Sequence, residues 1–281
     1  MHLYKTRKGN IVADSENLVI INESWDQIIN RKNLFHYLLS VIKDNEKISR
    51  QEFEDMVAND LQAPIGSQEV WAAGVTYMRS RDARMEESKT SGGADFYQKV
   101  YEAERPELFF KALPHRVAAH QEQVFIRKDS VWNVPEPELT LFINSFGEIQ
   151  AYTIGNDMSS RSIEGENPLY LPQAKTYERS AALGPCLFIT EKPISSDATI
   201  RLLINRNKEE KFSGSIQLNR MKRSFNELVQ FLFRECKFSS GCFLMTGTGI
   251  VPPDGFTLER DDEIIISIEE IGTLINTVAF Q

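Results

Sequence analysis

The chain has 281 residues, 41% of them apolar and 26% charged, which is ordinary for a globular protein. Its length allows one large domain with a smaller appendage. A net charge of −8 argues against nucleic acid or an anionic membrane surface as a partner.

Residues 1–66 are predicted to form a small N-terminal α/β domain. A tight hairpin is expected around Gly9, followed by a helix whose apolar residues recur at helical spacing. These residues are Trp25, Ile28, Ile29, Leu34, Leu38, Leu39 and Ile42. Ser49 and Glu52 have capping-box spacing, which predicts a further short helix. The Pro and Gly of LQAPIGS, residues 61–67, mark the end of this domain.

Residues 67–281 are predicted to form a β-rich catalytic domain. Short apolar runs of strand length recur between turn residues, namely VWAAGV, TLFIN, IQAYTI, CLFIT, IRLLI, IIISI and TLINTV. One amphipathic helix is expected after Ser224, which has capping-box spacing with Glu227. The expected fold class is therefore α+β, with mixed sheets and few helices.

The segment MRSRDARMEESKTSGGAD, residues 78–95, is highly charged and ends near a Ser-Gly-Gly turn. Two interpretations remain open for it. It is either an exposed loop or a mobile lid over a functional site.

Two glutamates stand at the start of an expected hairpin. Glu136 and Glu138, in VPEPELTL, are two apart in extended chain and therefore point to the same face of a strand. Across the hairpin, Glu136 is expected opposite Gly155 or Asn156, next to Asp157. Carboxylates this close repel each other unless a cation lies between them.

Three carboxylates with room for water match the ligands that a hard divalent cation prefers. We expect Mg²⁺ first, with Mn²⁺ or Ca²⁺ as alternatives. Glu136 and Glu138 alone could also be a solvated acidic hairpin end, but Asp157 at the matching position favours a metal site.

Other segments supply further candidate site residues. The stretch from Asp157 to Lys175 contains two prolines, and loops of that length inside a domain are usually functional. Lys175 could act as a base if its pKa is lowered, or it could face solvent. Glu107 and Lys111 flank an apolar Leu-Phe-Phe, either as solubilising edge residues or as groups lining a cleft. Thr248, in LMTGTGIVPPDG, belongs to a loop of small residues that could approach a carboxylate.

The cysteines and the first residues of the chain predict a cytoplasmic protein. Cys186, Cys236 and Cys242 are odd in number, and none belongs to a CxxC motif. No apolar run approaches the roughly 20 residues of a membrane span. The opening MHLYKTRKGN lacks the apolar segment of a signal peptide. We therefore expect reduced thiols in a cytoplasmic protein.

From about Glu69 onward the chain resembles the fumarylacetoacetate hydrolase superfamily. The matching motifs are AGVTY, PELFFKA, PEPEL, AYTIGNDMSSR, LPQAK, LGP, TGTGIVPP and DDEIIISIEEIGTLINTV. Within that superfamily the chain is similar to the 2-keto-3-deoxy-D-arabinonate dehydratases. The segment most specific to that branch is ENPLYLPQAK.

The resemblance implies a mixed-sheet β-roll with a small N-terminal domain, and Mg²⁺ held by Glu136, Glu138 and Asp157. It also implies that Glu107 and Lys175 are the acid and the base, without deciding which is which. A homodimer or homotetramer is expected on the same ground. The candidate substrate-binding residues are Lys111, Thr248, Arg79 and Ser80.

The activity implied is that of a hydro-lyase on a small 2-keto acid. It would convert 2-keto-3-deoxy-D-arabinonate to 2,5-dioxopentanoate through an enolate that the metal stabilises. Hydrolases of the superfamily carry a His and a Glu beyond the motif that ends here at Tyr77, and this chain has Ser80 and Ala83 in those places. A C–C bond hydrolase or keto-acid decarboxylase is the first alternative. A catalytically lapsed keto-acid-binding protein is an alternative of another class.

Overall fold

The computed structural model describes residues 1–79, 85 and 94–281, and the side chains of 94–97 are not part of that description. Most of the predicted lid, residues 78–95, therefore lies outside the described residues, as do Ser80 and Ala83.

Strands dominate the described part of the chain. They are β1 (His2–Thr6), β2 (Gly9–Asp14), β3 (Asn17–Ile21), β4 (Glu69–Gly74), β5 (Glu107–Ala112), β6 (Val117–Ala118), β7 (Gln123–Phe125), β8 (Asn133–Val134), β9 (Pro137–Ile143), β10 (Ile149–Asp157), β11 (Ser159–Ser160), β12 (Ala181–Phe188), β13 (Thr199–Arg206), β14 (Glu209–Gln217), β15 (Cys242–Met245), β16 (Glu263–Ile268) and β17 (Gly272–Ala279).

The described helices are shorter and fewer. They are α1 (Trp25–Ile29), α2 (Leu34–Asp44), α3 (Arg50–Asp60), α4 (Ala94–Glu102), α5 (Arg161–Glu166), α6 (Leu171–Lys175) and α7 (Phe225–Leu232). Short 3-10 turns span Pro114–Arg116, Pro168–Tyr170 and Leu218–Arg220. None of these helices is long and apolar enough to cross a membrane.

The described strands form two large sheets and one small sheet. The large sheet has the order β3-β2-β1-β12-β10-β9-β15-β4-β5, with β6 beside β12. The second sheet has the order β14-β13-β16-β17-β7, and β11 pairs with β8. Most neighbours are antiparallel, but three described pairs are parallel: β15 with β4, β17 with β7, and β6 with β12. The predicted α+β fold with mixed sheets is thus confirmed.

The large sheet is buried on both faces, which explains its continuous apolar runs. Alternate residues of a strand point to opposite faces. Leu141 of β9 packs in the core shared with the second sheet, whereas Phe142 packs in the core shared with α1 and α2. Glu138 is four residues before Phe142 and therefore points to the same face of the sheet. The N-terminal helices cover that face near Phe142.

The N-terminal residues differ from expectation in one respect. The tight hairpin is confirmed, since Thr6 of β1 pairs with Gly9 of β2. The single helix predicted from Trp25 to Ile42 is wrong, because α1 and α2 are separate. Asn33 between them has a φ of +53°, a left-handed conformation that an α-helix cannot contain. Leu39 is 40% exposed and lies off the apolar face.

The two predicted capping boxes are confirmed on the N-cap side. The Ser49 hydroxyl accepts the Glu52 N–H at the start of α3, and the Ser224 hydroxyl accepts the Glu227 N–H at the start of α7. Strand β1 pairs with β12, so the first strands continue the large sheet. The domain boundary at residue 66 stays a prediction.

Candidate active site

The β9–β10 hairpin carries the predicted carboxylates at its open end. The Asp157 N–H donates to the Glu136 carbonyl at 2.9 Å, so these two residues face each other. The predicted pairing of Glu136 with Gly155 or Asn156 is therefore wrong. A register shift early in β10 adds one residue to that strand, which moves its partners along by one position.

Three carboxylates converge as the sequence predicted. Candidate ligand oxygens of Glu136, Glu138 and Asp157 all lie within 4.8 Å of one another. The three residues are 3%, 2% and 1% exposed, which excludes a solvated hairpin end. An all-oxygen set of this size suits Mg²⁺ better than a softer metal.

Two buried cations hold the first of these carboxylates. Lys175 donates to Oε2 of Glu136, and Arg161 donates to Oε1 at 2.6 Å. The Lys175 ammonium also donates to Oδ2 of Asp157 at 3.1 Å and to the Ser159 hydroxyl at 2.6 Å. Both oxygens of Glu136 are thereby fixed by charge-assisted hydrogen bonds.

Lys111 is the third buried cation. Its Nζ lies 2.6 Å from Oδ1 of Asp157. Burial lowers the pKa of Lys111, while the charge of Asp157 opposes that effect. Three cations thus pair with Glu136 and Asp157. Such pairing is needed because an unpaired buried charge is strongly destabilising.

Glu138 lies in a different environment from the other two carboxylates. Its Oε2 accepts the backbone N–H of Gly247 at 2.6 Å. Burial, followed by the charges of Asp157 and Glu136, raises the pKa of Glu138 well above its usual value. A divalent cation between the carboxylates would remove this repulsion. The donor set and the charge pattern therefore fit Mg²⁺.

Two glycines, Gly247 and Gly74, lie between Glu138 and Glu107, and together they are called the glycine floor. In the large sheet, Glu138 of β9 and Glu107 of β5 are separated by β15 and β4. Gly247 follows β15 next to Glu138, and Gly74 of β4 pairs with Glu107. A Cβ on Gly74 would lie 2.0 Å from Oε2 of Glu107, so this carboxylate extends over Gly74 toward the acidic triad. Strands lie about 4.8 Å apart, so the two spacings from β9 to β4 separate Glu138 from the Glu107 carboxylate by roughly 10 Å.

The remaining predicted residues lie in different settings. Thr248 is 4% exposed, and its hydroxyl accepts the Ile250 N–H at 3.2 Å, closing a short turn. Arg79 is exposed, and Ser80 lies outside the described residues. Their roles in substrate binding stay predictions.

Sequence reasoning missed Arg161 and Ser159, although both belong to the stretch that was singled out as functional. That stretch is not one long loop, because it contains β11, α5 and α6. The available signal was a lone arginine four residues after Asp157, within a segment already suspected of lining a site. The role of Gly74 also escaped notice, because a glycine at a strand end has many explanations.

The fold and the buried acidic centre agree with a known family. Residues 70–279 match the family model described as fumarylacetoacetate (FAA) hydrolase C-terminal. The chain therefore belongs to the fumarylacetoacetate hydrolase family, and the resemblance is confirmed.

Several relatives are dehydratases. The chain is 45% identical over 217 residues to a probable 2-keto-3-deoxyxylonate dehydratase of Haloferax volcanii, covering 76% of this chain and 73% of that protein. It is 42% identical over 226 residues to 2-dehydro-3-deoxy-D-arabinonate dehydratase of Saccharolobus solfataricus, covering 78% and 75%. A solved 2-keto-3-deoxy-D-arabinonate dehydratase complexed with magnesium and 2,5-dioxopentanoate matches with a TM-score of 0.84 and 33% identity, over 100% of this chain and 98% of that one.

Proposed function

We propose that the protein is a Mg²⁺-dependent hydro-lyase that converts 2-keto-3-deoxy-D-arabinonate to 2,5-dioxopentanoate. The observation that carries this proposal is the buried acidic triad, with Lys175 bonded to two of its members and Glu107 across the glycine floor. Membership of a branch whose relatives dehydrate 2-keto-3-deoxy sugar acids supports the same reaction.

Glu136, Glu138 and Asp157 would hold the metal. When bound, Mg²⁺ supplies a Lewis acid that stabilises negative charge developing on the 2-oxo group of the substrate. Lys175, Arg161 and Lys111 hold Glu136 and Asp157 in a fixed orientation. This matters because a metal site needs ligands that are deprotonated and already in place.

Lys175 and Glu107 are the proposed proton-transfer groups. Dehydration requires that a proton leave C3 and that the C4 hydroxyl receive a proton before it departs as water. Lys175 lies within the triad, and Glu107 extends over the floor from the opposite side. One side chain can remove the C3 proton while the other protonates the leaving hydroxyl.

The proton balance then requires an isomerisation. Loss of water leaves a 3,4-unsaturated 2-keto acid with a hydroxyl on C5. One proton must leave C5 and another must leave its hydroxyl, while C3 and C4 each gain one. In D₂O, solvent deuterium is therefore expected at C3 and C4 of the product.

The same site could support hydrolysis only if a basic side chain activated a nucleophilic water. The sequence has Ser80 and Ala83 where the hydrolases carry His and Glu, and neither is a competent base at neutral pH. Dehydration needs no such group. This difference favours the lyase over the hydrolase.

The test is incubation with Mg²⁺ and a panel of 2-keto-3-deoxy acids that includes both C4 epimers of the pentonate, followed by NMR. Appearance of 2,5-dioxopentanoate is expected, and chelation of the metal should abolish it. Lys175→Met should still bind Mg²⁺ and substrate but lose turnover by several orders of magnitude. Its control is Lys5→Met, which removes a lysine bonded to the Ile65 carbonyl outside the site. Efficient cleavage of an acylpyruvate, with no dehydration of any panel member, would overturn the proposal.

We also propose a cytoplasmic homo-oligomer, either a dimer or a tetramer. The free thiols of Cys186, Cys236 and Cys242 support the compartment, because disulfides are rare there. The family resemblance supports the assembly. The proposed partner is the small 2-keto acid substrate, and neither nucleic acid nor membrane is expected.

A further inference from the structure

Lys111 reaches the active site through an irregularity in β5. The register between β4 and β5 shifts between the pairs Val70–Ala112 and Trp71–Phe110, so Lys111 is an additional residue in β5. Bulges of this kind change the direction of a side chain and occur next to active sites. Here the bulge accommodates a lysine that is 0% exposed.

The Lys111 ammonium makes two hydrogen bonds and one ion pair. Its Nζ donates to the carbonyl of Met158 at 2.9 Å and to the carbonyl of Lys175, and it lies 2.6 Å from Oδ1 of Asp157. A lysine ammonium has three donors and no acceptor. All three partners of the Lys111 ammonium are groups of the protein.

The three partners of Lys111 belong to two segments that the site depends on. Asp157 is the last residue of β10 and Met158 follows it, and Lys175 is the last residue of α6. That helix has five residues, too few to be stable by itself. Its orientation therefore depends on contacts with its surroundings, and the bond from Lys111 to the last residue is one of them.

We propose that Lys111 is a positioning residue rather than a substrate contact. It joins Asp157 to the end of α6, and so holds a candidate metal ligand and the proton-transfer lysine in one geometry. The catalytic part of this inference rests on the proposed dehydration. The part concerning Asp157 and the metal does not.

The experiment compares Lys111→Met with wild type, using Lys5→Met as the matched control. A misplacement near 1 Å can reduce turnover by about 100-fold. We expect kcat to fall by about that factor, while KM and the dissociation constant of pyruvate stay within about threefold. The electron paramagnetic resonance spectrum of bound Mn²⁺ should also change, because one of its ligands has lost its anchor. Lys5→Met should leave all these quantities unchanged.

Three results would contradict the inference. They are a wild-type kcat, a raised KM with unchanged kcat, or an unchanged Mn²⁺ spectrum. If Lys111→Met does not fold, Lys111→Arg serves instead, because it keeps the charge but not the geometry, and the same changes are expected in smaller degree. If wild type dehydrates no 2-keto-3-deoxy acid, the proposed function fails, while the Mn²⁺ spectra still decide whether Lys111 positions Asp157.

Discussion

Gly74→Ala tests whether the position of Glu107 matters for turnover. The new Cβ would lie 2.0 Å from Oε2 and 2.6 Å from Cδ of Glu107, whereas ordinary contacts begin at 3.4 Å. The carboxylate must therefore move by about 1.4 Å or more to restore van der Waals contact. The φ of Gly74 is not positive, so alanine introduces no backbone strain.

A displacement of that size should lower kcat substantially. Misplacement of a reacting group by 1 Å can cost about 100-fold in rate, which corresponds to about 2.7 kcal/mol of transition-state stabilisation. Mg²⁺ affinity should stay unchanged, because Glu107 is outside the acidic triad. The assay is steady-state turnover followed by NMR, combined with calorimetric titration of the metal.

The matched control is Gly255→Ala, whose Cβ would meet no atom within 4 Å. It should behave as wild type. Full activity in Gly74→Ala would refute the reasoning, because Glu107 would then have no positional role in turnover. An equal loss in Gly255→Ala would show that the effect is unspecific.

Three further predictions concern the metal, stability and assembly. Glu138→Gln should weaken Mg²⁺ binding more than about tenfold without unfolding the chain, since losing even a residue that supports a ligand costs about 10- to 100-fold; unchanged calorimetric affinity would mean that the site is misassigned. Burial opposes ionisation of Asp26, but hydrogen bonds from Ser67 and Gln68 outweigh it and lower the pKa of Asp26 below 3.8. Ionised Asp26 therefore stabilises the fold fully above pH 3.8, and this stabilisation is lost as the pH falls through the lower pKa of the folded state. Asp26→Asn should lower Tm by about 2 °C at pH 7 and by less below pH 3.8, so a pH-independent difference would contradict the assignment. Light scattering should give two or four times 32.2 kDa, and the mass of a monomer would exclude the proposed assembly.

Several features of the fold could be predicted from local pattern. The strands from VWAAGV to TLINTV and the caps at Ser49 and Ser224 depend on residues close in sequence. The split between α1 and α2 could not be predicted, because apolar spacing continues across Asn33 and gives no sign of its left-handed backbone.

One segment of sequence is enough to predict that Glu136 and Glu138 share a strand face and that a hairpin brings Asp157 to them. Alternation along a strand and pairing across a hairpin are local rules, so they can be read from one segment. Long-range contacts determine which cations surround these carboxylates and place Glu107 over Gly74. These contacts join β5, β10 and the helices α5 and α6, and their geometry follows from strand order, a bulge and long-range packing. None of those is encoded in the spacing of residues within a single segment.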